Sequence, residues 1–213
     1  MRYTIRSSML GSVVVLLTLT GDASLLAQES VEIKQALSCF EALSLSQSRR
    51  CPAGTLGASA ILERPEDFNP GQVGQLLEGL KVLAIHHDSS IVRVSATNRL
   101  MAVGTSSFRS RGSLPSTHHL VEQVLSETSD PGVLLAIIRW APRQDDGAWG
   151  LDLLADVASR DDGFRQHPPF SFQAIQEMLR FGAAGESKIQ ELVSEGRIKN
   201  PMAVQAANKI LSP

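Results

Sequence analysis

The stretch DSSIVRVSATNRLMAVG, residues 88–104, decides the fold that we predict for this chain. An aspartate turn precedes an apolar run of helical periodicity, and Gly104 follows where a helix is expected to end. Inside the run, a large apolar residue follows an alanine four positions later, one turn along the same helix face. The same pairing recurs three times further along. The four pairs are Ala96/Leu100, Ala136/Trp140, Ala174/Met178 and Ala207/Leu211.

The four alanines are separated by 40, 38 and 33 residues, a period typical of helical solenoids. Apolar periodicity predicts that each alanine lies in the second helix of a helical pair. The predicted pairs are 72–86 with 91–103, 117–128 with a helix opened by Asp130-Pro131, 147–159 with 171–181, and 186–194 with 201–211. Two further helices, over 29–45 and 55–62, precede a turn-rich joint at 64–70. No alternating strand pattern of useful length is present, so the predicted class is all-α.

The run Val92-Arg93 with Ala96 and Leu100, preceded by Asp88 and closed by Gly104, resembles the second helix of a HEAT repeat. Two later segments, which open with Asp130-Pro131 and Asn200-Pro201, look like degraded copies, and the third unit lacks the aspartate turn. The resemblance covers 72–211. It implies a right-handed α-α superhelix, a HEAT-like solenoid of about four helical pairs, with an N-terminal helical cap.

The N-terminus has the layout of a secretory signal peptide. Arg2 and Arg6 precede an apolar run over 9–20, and small residues follow at Ala23 and Ala27. The run is short for a membrane span, which needs about 20 apolar residues, although an uncleaved anchor is an alternative. A lipoprotein is excluded, because no cysteine directly follows the run. The predicted organisation is a signal peptide over 1–27, a helical cap over 28–65 and repeats over 66–213, in an exported protein that is periplasmic or secreted.

The chain has two cysteines, Cys39 and Cys51. In an exported protein they predict one disulfide that staples the N-terminal helices. Closing a loop of that size stabilises by roughly 3 kcal/mol in the loop-entropy treatment. The alternative is two buried free thiols held apart by helix geometry.

The sequence contains none of the common catalytic motifs, neither a nucleophile elbow nor a phosphate loop nor a zinc-protease helix. We therefore predict that the protein is not an enzyme and needs no cofactor or metal. The adjacent pairs His86-His87 and His118-His119 are predicted at opposite ends of neighbouring parallel helices, about 20 Å apart at 1.5 Å rise per residue, too far to share a metal. The Asp-Asp-Gly turns at 145–147 and 161–163 lack the later glutamate of a calcium loop and are interpreted as caps.

Charge is unevenly distributed. From 89 to 121 there are four arginines and no acidic residue, whereas 122–195 holds thirteen acidic and six basic residues. The functional interpretation is a basic patch that binds an acidic partner, an anionic glycan or a phosphorylated ligand. Its residues are Arg93, Arg99, Arg109 and Arg111. The alternative is that Arg93 bonds an acidic residue of the neighbouring pair while the loop arginines are solvated.

The net charge of −2 argues against a general nucleic-acid binder. The prediction is an exported, non-catalytic α-solenoid that binds a protein partner or acts as a scaffold, without stable membrane insertion once the signal is cleaved. A second hypothesis is an accessory or regulatory subunit of a secreted enzyme complex. A third is an enzyme resembling the HEAT-like phycobilin lyases, for which no cysteine or acidic cluster is suitably placed.

Overall fold

A computed structural model describes residues 31–47, 50–105, 114–160 and 169–212. These residues form helices and connecting turns without a β-strand, so the predicted all-α class is confirmed. The first helix covers 31–44 (α1). The others are α2 Ala58–Glu63, α3 Pro70–His86, α4 Ser90–Val103, α5 His118–Glu127, α6 Pro131–Trp140, α7 Gly147–Ser159, α8 Phe170–Met178, α9 Ala183–Ser194 and α10 Pro201–Leu211, with 3₁₀ turns at Pro65–Asp67, Ala141–Arg143 and Leu179–Phe181.

The helices from α3 onward pack in two layers. Each of α3, α5, α7 and α9, which we call the first helices, is followed along the chain by a second helix: α4, α6, α8 or α10. Among the first helices α3 contacts α5 and α7 contacts α9, and the second helices contact one another in the order α4, α6, α8, α10. The α5–α7 contact is made by side chains, since the rings of His118 and Trp149 stack with centroids 3.9 Å apart. Each helical pair thus packs against the next pair in both layers.

An Asx residue followed by proline starts three of these helices. The side chains of Asn69, Asp130 and Asn200 accept hydrogen bonds from backbone N–H groups of the first turn of α3, α6 and α10. Proline then occupies the first helical position, where a missing N–H costs nothing. This local chemistry places three of the helix starts within one or two residues of the predicted ones.

The predicted repeat alanines are all buried. Ala96, Ala174 and Ala207 are fully inaccessible and Ala136 is nearly so. The large residues one turn later differ: Leu100 and Met178 lie in the core, whereas Trp140 and Leu211 remain partly exposed. One apolar cluster extends from Ile33 in α1 to Ala207 in α10, so the core is continuous across the predicted boundary between cap and repeats.

Cys39 in α1 and Cys51 in the following turn form the predicted disulfide, with Cα atoms 5.4 Å apart. Cys39 is buried, and the bridge fixes the segment that leads into α2. A disulfide of this kind persists mainly in oxidising compartments.

Three helix boundaries differ from the prediction by three residues. The helix predicted from residue 55 starts at Ala58. The helix predicted over 171–181 is an α-helix only to Met178, and it tightens into the 3₁₀ turn Leu179–Phe181 before Gly182. The next helix starts three residues before the predicted Glu186, because Gly182 adopts a positive φ of 59° that turns the chain directly into α9. Ala183-Ala184-Gly185 carries no side-chain capping signal, so periodicity alone placed this start too late.

The predicted signal peptide lies outside the described residues, as does the arginine-containing part of the loop after Thr105. Among the helices that the structure describes, none is both long enough and apolar enough to cross a membrane.

Candidate binding face on the second helices

Charged side chains separate between the two layers of helices. The second helices and their 3₁₀ extensions carry basic side chains with the single exception of Glu177. The first helices carry acidic side chains apart from two lysines and the histidines. The basic residues of the second layer are Arg93, Arg99, Arg139, Arg143, Arg180 and Lys209. The sequence shows a change of charge along the chain, and the structure adds a separation across the layers.

The acidic side chains of the first helices are largely compensated within the protein. Lys188 of α9 contacts Asp152 of α7 at 3.2 Å, and Arg197 contacts Asp156 at 3.7 Å. Glu122 accepts a hydrogen bond from the indole N–H of Trp149 at 2.9 Å.

Burial raises the pKa of the Asp156 carboxyl, and the negative charges of Asp152 and Glu122 add to this effect against the opposing cations Arg197 and Lys188. Burial alone would lower the pKa of Lys188, but its bonds to Asp152 and Glu191 raise it. This layer therefore pairs most of its charge internally.

The cations of the second helices are mostly not compensated. Arg180 pairs with Glu177 at 3.0 Å, and Arg93 pairs with Asp130 at 2.7 Å. In the part of the chain that the structure describes, no carboxylate pairs with the other four, which are Arg99, Arg139, Arg143 and Lys209. We call the exposed surface of α4, α6, α8 and α10 that holds these cations the candidate binding face.

A groove of about 500 Å³ opens beside the candidate binding face, between the N-terminal helices and the second helices α4 and α6. Its volume falls within the range of pockets that hold small ligands or side chains. Its walls combine apolar side chains, hydroxyl groups and one guanidinium. They include Phe40, Leu43, Ser95, Asn98, Arg99 and Trp140.

Trp140 is held in a fixed position at the edge of this groove. Its indole Nε1 donates a hydrogen bond to Asn98 Oδ1 of α4 at 3.0 Å. The Arg143 guanidinium lies over the ring, 5.3 Å from its centroid, in a cation–π contact. Gln144 donates to the carbonyl groups of Trp140 and Met101 at 3.0 and 3.1 Å, which ties the end of α6 to α4. The aromatic side chain is thus positioned before any partner arrives.

Two of the four arginines of the predicted basic patch, Arg93 and Arg99, lie within the described residues, and their surroundings differ. The Nε and Nη2 atoms of Arg93 donate to Asp130 Oδ2 at 2.8 and 2.7 Å, and its Nη1 donates to the carbonyl groups of His87 and Asp88. Arg93 therefore connects one pair to the next, as the alternative interpretation had it. Arg99 is half-exposed and lines the groove. Arg109 and Arg111 lie outside the described residues.

The histidine pairs contact different partners. His87 Nε2 lies 3.1 Å from Glu41 Oε1 of α1, and its Nδ1 accepts from the N–H of Ser89. His119 lies 3.9 Å from Glu78. Throughout the described ranges, no three histidine, cysteine or acidic side chains are grouped as metal ligands.

Asp146, in the first of the two Asp-Asp-Gly turns, caps α7 by accepting from the N–H of Trp149. This is the structural role that the sequence predicted for it. The second turn, 161–163, lies outside the described residues.

Sequence reasoning missed Trp140, Arg143 and Leu43 as members of a surface site. Trp140 holds the position that Leu100 and Met178 occupy in their own helices, where both are fully buried, so the repeat pattern does not reveal its partial exposure. The basic layer can be found from the same helix predictions if charged residues are counted separately for the first helices and for the second helices, and not along the chain.

Compared with protein-family models, with curated proteins and with solved structures, the chain shows no significant match.

Proposed function

We propose that this chain is an exported, non-catalytic α-solenoid that binds another protein through the candidate binding face. The observation that carries the proposal is the concentration of uncompensated cations beside a fixed tryptophan on the second helices. In the opposite layer, by contrast, four of the seven carboxylates of the first helices form ion pairs with lysine or arginine of the described residues: Glu78, Asp152, Asp156 and Glu191. Such a face favours association with a partner of opposite charge, because complementary charges steer encounter and select partners.

The solenoid part of the proposal rests on the packing order. First helices contact first helices, and second helices contact second helices, as stacked repeats require. Arg93 of one pair bonds Asp130 at the start of the next second helix, so neighbouring pairs share polar as well as apolar contacts. These features support a right-handed HEAT-like superhelix of four pairs, with α1, α2 and the disulfide as an N-terminal cap.

Export is supported by the disulfide and by the signal-like N-terminal sequence. Binding by a solenoid needs no catalytic groups, because extended repeat surfaces act through shape and charge.

Site-specific photo-crosslinking in cells that produce the protein tests the proposal. A photoreactive amino acid is placed at Ser95 or Gln176 on the second helices, and at Gln123 on a first helix as the matched control. Gln123 and Gln176 are both exposed glutamines, so they differ chiefly in the layer that they occupy. We expect a discrete crosslinked partner from Ser95 or Gln176 and none from Gln123. Crosslinks only from Gln123, or none from any position, would contradict the proposal.

Identifying the crosslinked partner also addresses the alternative of an accessory subunit. If the partner is an enzyme whose rate changes when this chain is added, the protein is a regulatory subunit and not a passive scaffold.

A further inference from the structure

The groove between α1, α2, α4 and α6 combines apolar side chains, hydroxyl groups and an arginine. Leu43 is 39% exposed and Trp140 is partly exposed, so both apolar side chains can contact an entering group. Arg99 lines the same groove without a carboxylate partner among the described residues. Ser44, Ser59 and Ser95 add hydroxyl groups along its walls.

The charged side chains that lie in the groove and at its edge are both cationic. Arg99 is in it, and Arg143 lies over the Trp140 ring at its edge. The acidic side chain nearest in sequence to its α1 wall, Glu41, is engaged with His87 at 3.1 Å. An arginine without a carboxylate attracts one, because the guanidinium fork matches a carboxylate in a bidentate hydrogen-bonded pair.

We infer that this groove binds an extended acidic segment of the partner protein, with its carboxylates on Arg99 and Arg143 and an apolar side chain between Leu43 and Trp140. The inference rests on the proposed function and specifies the site and the chemistry of the partner. The serine hydroxyls then face the segment's backbone, where they can donate to carbonyl groups or accept from N–H groups.

A polypeptide fits the groove better than a polyanion such as a nucleic acid or a sulfated glycan. The whole chain has a net charge of −2, and the acidic first layer repels a long polyanion. Leu43 and Trp140 offer apolar surface that a phosphate or sulfate group cannot use. An acidic peptide with a leucine or aromatic anchor uses both the charge and the apolar wall.

The test is a selection of random displayed dodecapeptides on the immobilised full chain. We expect enrichment of peptides in which aspartate or glutamate lies beside leucine or an aromatic residue. Arg99→Glu should weaken binding of the selected peptides at least about tenfold. Arg99→Lys should weaken their binding less. Raising the salt concentration from about 0.05 to about 0.5 M should also weaken binding, since screening shortens the reach of the charges.

Lys199→Glu is the matched control, because it also replaces a cation by a carboxylate, at an exposed position in the turn before α10 that lies outside the candidate binding face and has no carboxylate partner in the described residues. It should bind the selected peptides nearly as well as the parent. Peptide binding should change tryptophan fluorescence in the parent but not in Trp140→Phe, which retains the buried Trp149. Thermal melts establish that each variant is folded.

The inference is overturned if no peptide is enriched, if the selected peptides lack acidic residues, or if Arg99→Glu binds them like the parent. Arg99-dependent binding of a heparin oligosaccharide or of phosphatidylglycerol vesicles, without binding of acidic peptides, also overturns it. If the second helices still crosslink a partner while Arg99→Glu changes nothing, the groove assignment fails and the binding-face proposal stands.

Discussion

At the residue scale, Arg93 and Arg99 have different surroundings although they lie only six positions apart in α4. Arg93 bonds the Asp130 carboxylate and two carbonyl groups, and the Asp130 side chain is only 5% exposed. The charge of Arg93 is therefore compensated within the protein. Arg99 points into an open groove and meets no carboxylate of the described residues, so its charge is available to a partner.

The Asp130 carboxylate makes the contact between neighbouring pairs sensitive to acid. Burial alone would raise its pKa, but hydrogen bonds from Ser90, Arg93 and the N–H of Gly132, with the charge of Arg93, outweigh burial and lower the pKa below its ordinary value of 3.8. A lowered pKa stabilises the folded state at every pH above the ordinary value. That contribution is lost as the pH falls through 3.8 toward the folded pKa.

We therefore predict that Asp130→Asn lowers the free energy of unfolding at pH 7 by about 1–3 kcal/mol and flattens its dependence on acid. Urea unfolding at neutral pH and near pH 3 measures both effects, and the parent and variant should differ less at the lower pH. Glu127→Gln is the control, since Glu127 is exposed and has no ion pair within the described residues. A constant difference between parent and Asp130→Asn at both pH values would show that the carboxylate charge is not what stabilises this contact.

The sequence could predict the kind of contact that Arg93 makes, but not the surroundings of Arg99. The family-like position of Arg93 suggested a bond to the neighbouring pair, but which acidic residue it meets depends on how the pairs stack. The surroundings of Arg99 could not be predicted, because Leu43 and Trp140 reach the groove from helices far apart in the chain. Periodicity reports which face of a helix is buried and carries no information about which distant helix lies opposite.

At the scale of the element, close backbone approach matters as much as apolar periodicity. In α7, a Cβ atom added at Gly150 would lie 2.3 Å from the carbonyl oxygen of Ala141. At Gly185 in α9, it would lie 1.9 Å from the carbonyl oxygen of Met178. Ala141 begins the 3₁₀ turn after α6, and Met178 is the last residue of α8. Glycine therefore lets each first helix pack against the end of the helix before it.

We predict opposite effects for two Gly→Ala substitutions inside helices. Gly150→Ala should destabilise by about 1–3 kcal/mol, because a backbone carbonyl cannot move aside as a flexible side chain can. Gly74→Ala in α3 should stabilise by about 0.5–1 kcal/mol, since no atom lies within 4 Å of the added methyl group and alanine favours the helix. Urea unfolding of the two variants beside the parent decides the point. Changes of the same sign would mean that the packing of α7 on the 3₁₀ turn is not as described.

Most helices were predictable from the sequence because their ends carry local chemistry. Asn69-Pro70, Asp130-Pro131 and Asn200-Pro201 fix helix starts through capping and a preset φ angle. The start of α9 was not predictable, since Gly182 sets it by backbone conformation. The 3₁₀ ending of α8 likewise depends on packing against α9, which residue types do not reveal.

At the scale of the whole molecule, the alternation of first and second helices separates acidic from basic side chains. Because every other helix belongs to the same layer, acidic first helices and basic second helices accumulate on separate sides. The ion pairs of Lys188 with Asp152 and of Arg197 with Asp156 connect the last units through their acidic layer. A stack held by neighbour contacts should also respond to damage locally, since each pair contacts mainly the pairs beside it.

The final prediction tests this local response with Ala96→Leu. Ala96 is fully buried in α4, which packs against α3, α5 and α6, so a larger side chain should cost about 1–3 kcal/mol through overpacking. Hydrogen exchange measured by mass spectrometry should accelerate in α3, α4 and α6 and change much less in α9 and α10. Ala148→Leu, at an exposed position of α7, is the matched control and should leave exchange nearly unchanged. An equal acceleration in every helix would mean that the described helices unfold as one cooperative unit. Unaltered exchange near α4 would instead mean that Ala96 does not lie at a tight helix contact.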